Sequence, residues 1–186
     1  MNKKLLDRAK QKLRVTDSSG NETGKTVERA KAHACPGVKH LAFLVFVVNG
    51  SNEFVLHKRI AKKVGSNLLD SPVSHVLANE TLVQAVHRCL KHEYGISEKL
   101  EIKKLGGFSY EKDYGDGTCE NEYCLVLSVN YSGGIKPNPE EMEGAVMLMP
   151  VPEAVSDSKN CPEKFEVWFN LAIPIFEKSG LAKSVS

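Results

Sequence analysis

Glu120-Asn121-Glu122 sets two carboxylates two residues apart. On an extended strand that spacing turns both side chains to one face and Asn121 to the other. Two parallel carboxylates favour a cation. Three of the six histidines, His33, His40 and His75, fall at the ends of expected elements, and His40 opens the most apolar run of the chain. An imidazole without a partner is costly there, and a ligand role removes that cost. Three imidazoles and two carboxylates supply enough donors for a five- or six-coordinate divalent ion. Nitrogen and oxygen donors of this kind suit Mn²⁺, Zn²⁺ or Mg²⁺ better than a thiolate-loving ion. His57, His87 and His92 read as strand and helix surface residues and stay outside the set.

The elements that must position these groups follow from periodicity and turn signals. The run HLAFLVFVV from His40, the turn Asn49-Gly50 and then Phe54, Val55 and Leu56 predict a hairpin whose first strand is buried on both faces. Lys58 to Asp70, with Lys58, Arg59, Lys62 and Lys63, reads as a basic loop, solvated in the plainest interpretation. Leu82, Val86 and Cys89 recur at i, i+4 and i+7 and predict an amphipathic helix from about Glu80, stopped by Gly95, with Glu93 on the same stripe. Strands follow at Lys103–Lys112 and Glu120–Val129 around Gly115-Asp116-Gly117, with an apolar run at Ala145–Val151. The tail from Pro162 to Lys178 reads as mostly helical, and Pro174 should kink or end the last helix. At the start, Leu5, Leu6, Ala9 and Leu13 have helical spacing, and Ser18-Ser19-Gly20-Asn21 forms a turn. With no repeat or linker composition, residues 1–186 read as one α/β domain with helices on a mixed sheet, residues 1–12 being a helical appendage.

Composition limits the partners. The chain has 186 residues, 25 Lys+Arg against 23 Asp+Glu, and 41% hydrophobic residues. Near-balanced charge gives no broad field for nucleic acid or a membrane surface, so any anion must meet a local cation cluster and the partner should be small. Five cysteines without a CxxC pair, Cys35, Cys89, Cys119, Cys124 and Cys161, predict free thiols in a reducing compartment, hence the cytoplasm. The charged first dozen residues do not form a signal-peptide apolar region, and Leu41–Val48 is far too short to span a bilayer.

The segments HACPGVKHLAF, SHVLANETLVQAVHRCLKHEYGI, GFSYEKDYGDGTCENEYC and FEVWF together resemble the type 1 isopentenyl-diphosphate Δ-isomerases, a branch of the Nudix superfamily. The resemblance runs from about Val15 to the final helix and implies a Nudix-like α/β/α sandwich with a mixed central sheet. It implies one divalent ion on His33, His40, His75, Glu120 and Glu122, and a Mg²⁺ near Glu93 bridging to the substrate diphosphate. Arg29, Arg59 and a lysine at Lys62 or Lys63 match positions that contact the diphosphate, and Arg88 is retained beside Cys89, which replaces a further arginine. The partner implied is an isoprenoid diphosphate, the protein being a monomer or weak homodimer. Two of the three glutamates of the Nudix hydrolase signature are Cys89 and His92 here, which argues against nucleotide hydrolysis.

In that branch the alkene of isopentenyl diphosphate is protonated to a tertiary carbocation, and loss of a neighbouring proton gives dimethylallyl diphosphate. Glu122 matches one proton carrier, and Tyr110 and Trp168 match the aromatic residues around the cation. The other carrier is a cysteine in the family, and Val73 stands in its place. Ser74, Ser71, Tyr110 or a water on the metal is left to take that role. The alternative is a non-catalytic or re-purposed protein that binds or acts on another isoprenoid or nucleoside diphosphate.

Overall fold

In a computed structural model, the described residues are 7–63 and 66–181. The elements are β1 Lys12–Thr16, β2 Glu22–Glu28, α1 Arg29–Ala32, β3 His40–Val48, β4 Glu53–Arg59, β5 Leu69–Asp70, β6 Val73–His75, α2 Leu82–Tyr94, β7 Lys103–Asp113, β8 Cys119–Asn130, β9 Met142–Pro150, α3 Val151–Asn160 and α4 Val167–Lys178. The sheet is organised on β3. Strand β8 runs parallel to β3 from His40↔Glu122 to Val48↔Asn130. On the other edge β6 pairs antiparallel with Ala42–Leu44, and β4 joins at Val48↔Phe54. Strand β7 pairs antiparallel with β8, and β9 with β4.

Two apolar layers flank this mixed sheet because alternate β3 side chains point to opposite faces. Ala42, Leu44 and Phe46 pack with Phe54, Trp168, Phe169 and Phe176 of the C-terminal helices. Phe43, Val45 and Val47 pack with Val86, Leu90 and Tyr94 of α2. The result is the expected α/β/α sandwich. Helix α2 starts in a reciprocal capping box between Thr81 and Gln84 and stops at Gly95, whose φ of 70° is easily reached only by glycine.

Several sequence expectations change. Leu13 lies in β1, not on a helical stripe, because Lys12–Thr16 pairs with β2. Asp7–Ala9 are helical, whereas Leu5 and Leu6 lie outside the described residues. Helix α4 runs through Pro174 to Lys178; Trp168, Phe169, Ala172, Ile173 and Phe176 are buried along its length, and that packing outweighs the lost backbone bond. Helix α3, which no periodicity marked, begins at Val151 directly after β9. The 58–70 segment is only partly a solvated loop: Arg59 and Asp70 are buried. Cys35 and Cys119 form a disulfide, so the expectation that every thiol is free is corrected; Cys89, Cys124 and Cys161 are free. The two half-cystines are 84 residues apart in sequence, and only the folded chain brings them together.

Candidate active site

His33 caps the end of α1, His40 opens β3 and His75 ends β6. Sheet pairing then gathers them: His75 lies opposite Ala42 of β3, and Glu122 lies opposite His40. The three imidazole centroids form a near-equilateral triangle with sides of 4.9, 5.0 and 4.9 Å. Donor atoms of His33, His40, His75 and Glu120 all lie within 4.8 Å of one another.

Backbone carbonyls fix two of the rings. The Nδ1–H of His40 donates to the Val38 carbonyl at 2.7 Å, and that of His33 faces the Cys119 carbonyl at 3.3 Å. A carbonyl only accepts, so the Nδ1 bonded to it carries a hydrogen. Both Nε2 atoms are buried without a hydrogen bond among the described residues. Two buried imidazole nitrogens without a hydrogen bond, on rings whose other nitrogen faces a carbonyl, fit a metal ligand set. This donor chemistry suits a divalent ion.

Glu122 is the most tightly held carboxylate of the group. Its Oε1 lies 2.8 Å from His75 Nε2 and 3.4 Å from His40 Nε2. Its Oε2 accepts from the Tyr110 hydroxyl at 2.7 Å, the two residues being cross-strand partners on β7 and β8. Burial pushes the Glu122 carboxyl up, but the neighbouring His40 and His75 rings more than offset it and hold it well below the usual carboxylate range. Glu120 lies 3.0 Å from His33 Nδ1, and its carboxyl is pushed up by burial and then by the Glu122 charge.

His33, His75, Glu120 and Glu122 line a cavity of about 320 Å³. Val73, Tyr110 and Trp168 form apolar and aromatic wall, and Arg8, Arg29, Arg59 and Lys63 bring positive charge. Trp168 is fixed by its indole N–H, which donates to Asp70 at 3.0 and 3.1 Å. The Arg59 guanidinium sits 4.9 Å from the Trp168 ring centroid and pairs with Asp70 at 2.8 Å and Glu166 at 3.1 Å. A register shift between Leu56 and Lys58 breaks the alternation of β4, the kind of irregularity that re-aims a side chain.

Four expected site residues, His40, Lys62, Arg88 and Glu93, do not line this cavity, His40 being fully buried. Lys62 is exposed. Arg88 donates to Glu80 at 2.6 and 2.9 Å and to the His75 carbonyl at 2.9 Å, so it braces β6 against α2 from the other layer. Glu93 is buried on α2, with Oε2 lacking a hydrogen bond and its carboxyl pushed up to about 7 by burial. It stands apart from the histidine group, although Lys63 and Glu141 act on it electrostatically. Of the spare proton carriers, Ser74 Oγ faces Arg88 Nη1 at 3.5 Å, and Ser71 is fully buried outside the cavity lining.

A NUDIX domain model matches residues 38–169. An isopentenyl-diphosphate Delta-isomerase of Haloarcula marismortui is 30% identical over 178 residues, spanning 90% of this chain and 91% of the relative. The chain belongs to the Nudix family, in its type 1 isopentenyl-diphosphate isomerase branch. A relative of the same description from Halorhodospira halophila is 30% identical over 163 residues, 86% of this chain and 91% of its own. A Deinococcus radiodurans structure superposes with a TM-score of 0.66 at 15% identity, covering 90% of this chain and 98% of its own, and confirms the Nudix fold. The MutT protein of Methanosarcina mazei does so at 0.62 and 16% identity, over 77% and 96%.

Sequence reading of this Nudix chain missed other residues of the site. Arg8 and Thr118 line the cavity, and Asp70, Glu166 and Glu141 hold the side chains around it. His57 is not a surface residue. It is buried with Nδ1 3.0 Å from the Tyr94 hydroxyl, and burial depresses it to about 3. Asp70 had a signal, since it lies in the stretch before His75; Arg8 had none beyond its charge.

Proposed function

We propose that the chain is a metal-dependent isopentenyl-diphosphate Δ-isomerase whose proton chemistry runs on Glu122 and Tyr110. The observation that carries this reading is the buried Glu122 carboxylate, bonded to Tyr110 beside a Trp168 wall, in a cavity that also holds several fixed cations. A divalent ion on His33, His40, His75, Glu120 and Glu122 would fix the Glu122 carboxylate and supply Lewis acidity beside it; Mg²⁺ near Glu93 would neutralise diphosphate charge. Arg29 and Lys63 orient the substrate through its diphosphate, leaving the alkene against Val73, Tyr110 and Trp168.

The Tyr110 O–H breaks as its proton goes to the terminal alkene carbon, and the positive charge develops on the tertiary carbon. The Trp168 ring faces that charge, its electron density raised by the N–H bond to Asp70. Glu122 takes the proton from the neighbouring carbon, forming the new double bond. Transfer from Glu122 back to the Tyr110 oxygen along their 2.7 Å bond restores both groups, and the Tyr110 hydroxyl exchanges its hydrogen with solvent between turnovers. Val73, on the opposite edge of β3 from β8, carries no proton, so both transfers use one face of the substrate.

Incubation of purified protein with isopentenyl diphosphate and Mg²⁺ tests this. Dimethylallyl diphosphate should form, and Tyr110→Phe and Glu122→Gln should each lower turnover at least 100-fold. Val73 in the cavity wall favours one other reading, a diphosphate-binding protein without turnover. Tight calorimetric binding with no product would select it.

A further inference from the structure

We propose that Arg8 contacts the substrate diphosphate and that Glu141 is a positioning residue, holding Arg8 and Lys63 at the cavity to receive it. This rests on the isomerase reading of the same cavity. Glu141 opens into the protein just before β9 and is 2% exposed. Three basic side chains from three separate parts of the chain converge on its carboxylate. Lys63 Nζ contacts Oε2, and His92 Nε2 and Arg8 Nη1 lie 2.9 and 3.5 Å from Oε1. Burial pushes that carboxyl up, but Lys63 and His92 hold it down at about 2, so it is an anion at any working pH.

Two of the three, Arg8 and Lys63, line the cavity, together with Arg29. Arg59, in the same wall, is matched by Asp70 and Glu166 on the buried side. Arg8 and Lys63 share Glu141 as counter-ion, whereas Arg29 lies in the fields of Glu120 and Glu122 first and of Glu141 after them. Arg29 reaches Gln11 at 3.5 Å. Arg8, Arg29 and Lys63 together line one cavity, and an anion of more than one charge can bridge such donors. The Arg8 side chain is 46% exposed and its 3.5 Å pairing is long, so exchanging or sharing Glu141 for phosphate oxygens costs little. Residues read from sequence as an appendage thereby become part of the binding site.

Calorimetric titration of the metal-loaded protein with isopentenyl diphosphate, and separately with inorganic pyrophosphate and Mg²⁺, tests the proposal. Arg8→Gln should weaken both affinities at least 10-fold, Arg8→Lys should restore part of the loss, and Lys10→Gln, an exposed neighbour, should change neither. Glu141→Gln should raise KM several-fold with kcat nearly unchanged, Glu141→Asp should recover part of it, and the double variant with Arg8→Gln should lose less than the two losses combined. Wild-type affinity in Arg8→Gln overturns the proposal even if Glu141→Gln fails to fold. If the wild-type protein binds both diphosphates but makes no dimethylallyl diphosphate, only the isomerase reading falls; if it binds neither, both fall.

Discussion

At position 73 an isopropyl group lines a cavity whose other reactive wall is Tyr110 and Glu122. A thiol there would add a proton carrier on the far side of β3, so Val73→Cys should raise kcat at least 10-fold; steady-state kinetics checks this. Two groups of similar size in a partly buried position should differ in stability by less than about 1.5 kcal/mol. Glu93 makes a pH prediction. Its carboxyl is near 7 when folded and lower when unfolded, so its favourable contribution is complete below about 4.5 and is lost as pH rises through 7. In chelator, Glu93→Gln should therefore gain on the wild type between those values, reaching about 3 kcal/mol above pH 7 in urea melts. Added Mg²⁺ should narrow the gap. The gathering of His33, His40, His75 and Glu120 was legible because histidines and carboxylates at element ends have few other uses. Arg88 was misplaced because its position on α2 says nothing about which layer its guanidinium enters. His57 was misread because the bridge from its ring to Tyr94 crosses 37 residues of sequence.

Among elements, β3 does most of the positioning: alternate side chains build both cores, and its first residue is a site histidine. The hairpin, α2 and the β7–β8 pair were legible through period and turn residues. Helix α3 and the β4 register shift were not, since each depends on what packs against it. Thr81 accepts from the Gln84 amide at 3.2 Å at the start of α2. Thr81→Ala should cost about 1 kcal/mol in a denaturant melt, without altering metal affinity. The Cys35–Cys119 disulfide joins the loop after His33 to the residue before Glu120, alongside the bond from the Cys119 amide to the His33 carbonyl at 2.9 Å. Reduction with a dithiol should lower stability by about 2–4 kcal/mol, given the long loop it closes. It should also weaken divalent-ion binding several-fold, read by isothermal titration. Cysteine spacing could not disclose this pair, because the contact is made by folding and not by sequence proximity.

Taken as a whole molecule, the two apolar layers share β3 and cannot melt independently, so calorimetry should show a single unfolding transition. The charge distribution is also a property of the whole chain. Its near-neutral total hides a cavity lined by carboxylates and imidazoles together with cations from residues 8, 29, 59 and 63. Composition could exclude a broad charged surface but could not locate this local polarity, which arises when distant segments meet. The central claim is that Glu122 and Tyr110 pass protons to and from an isoprenoid diphosphate despite Val73. Its most direct measurement is NMR of isopentenyl diphosphate incubated with the Mg²⁺-loaded protein in D₂O. The predicted result is dimethylallyl diphosphate with deuterium in the methyl group formed from the terminal alkene carbon, abolished in Glu122→Gln. Recovery of undeuterated isopentenyl diphosphate, with no dimethylallyl product, would contradict it.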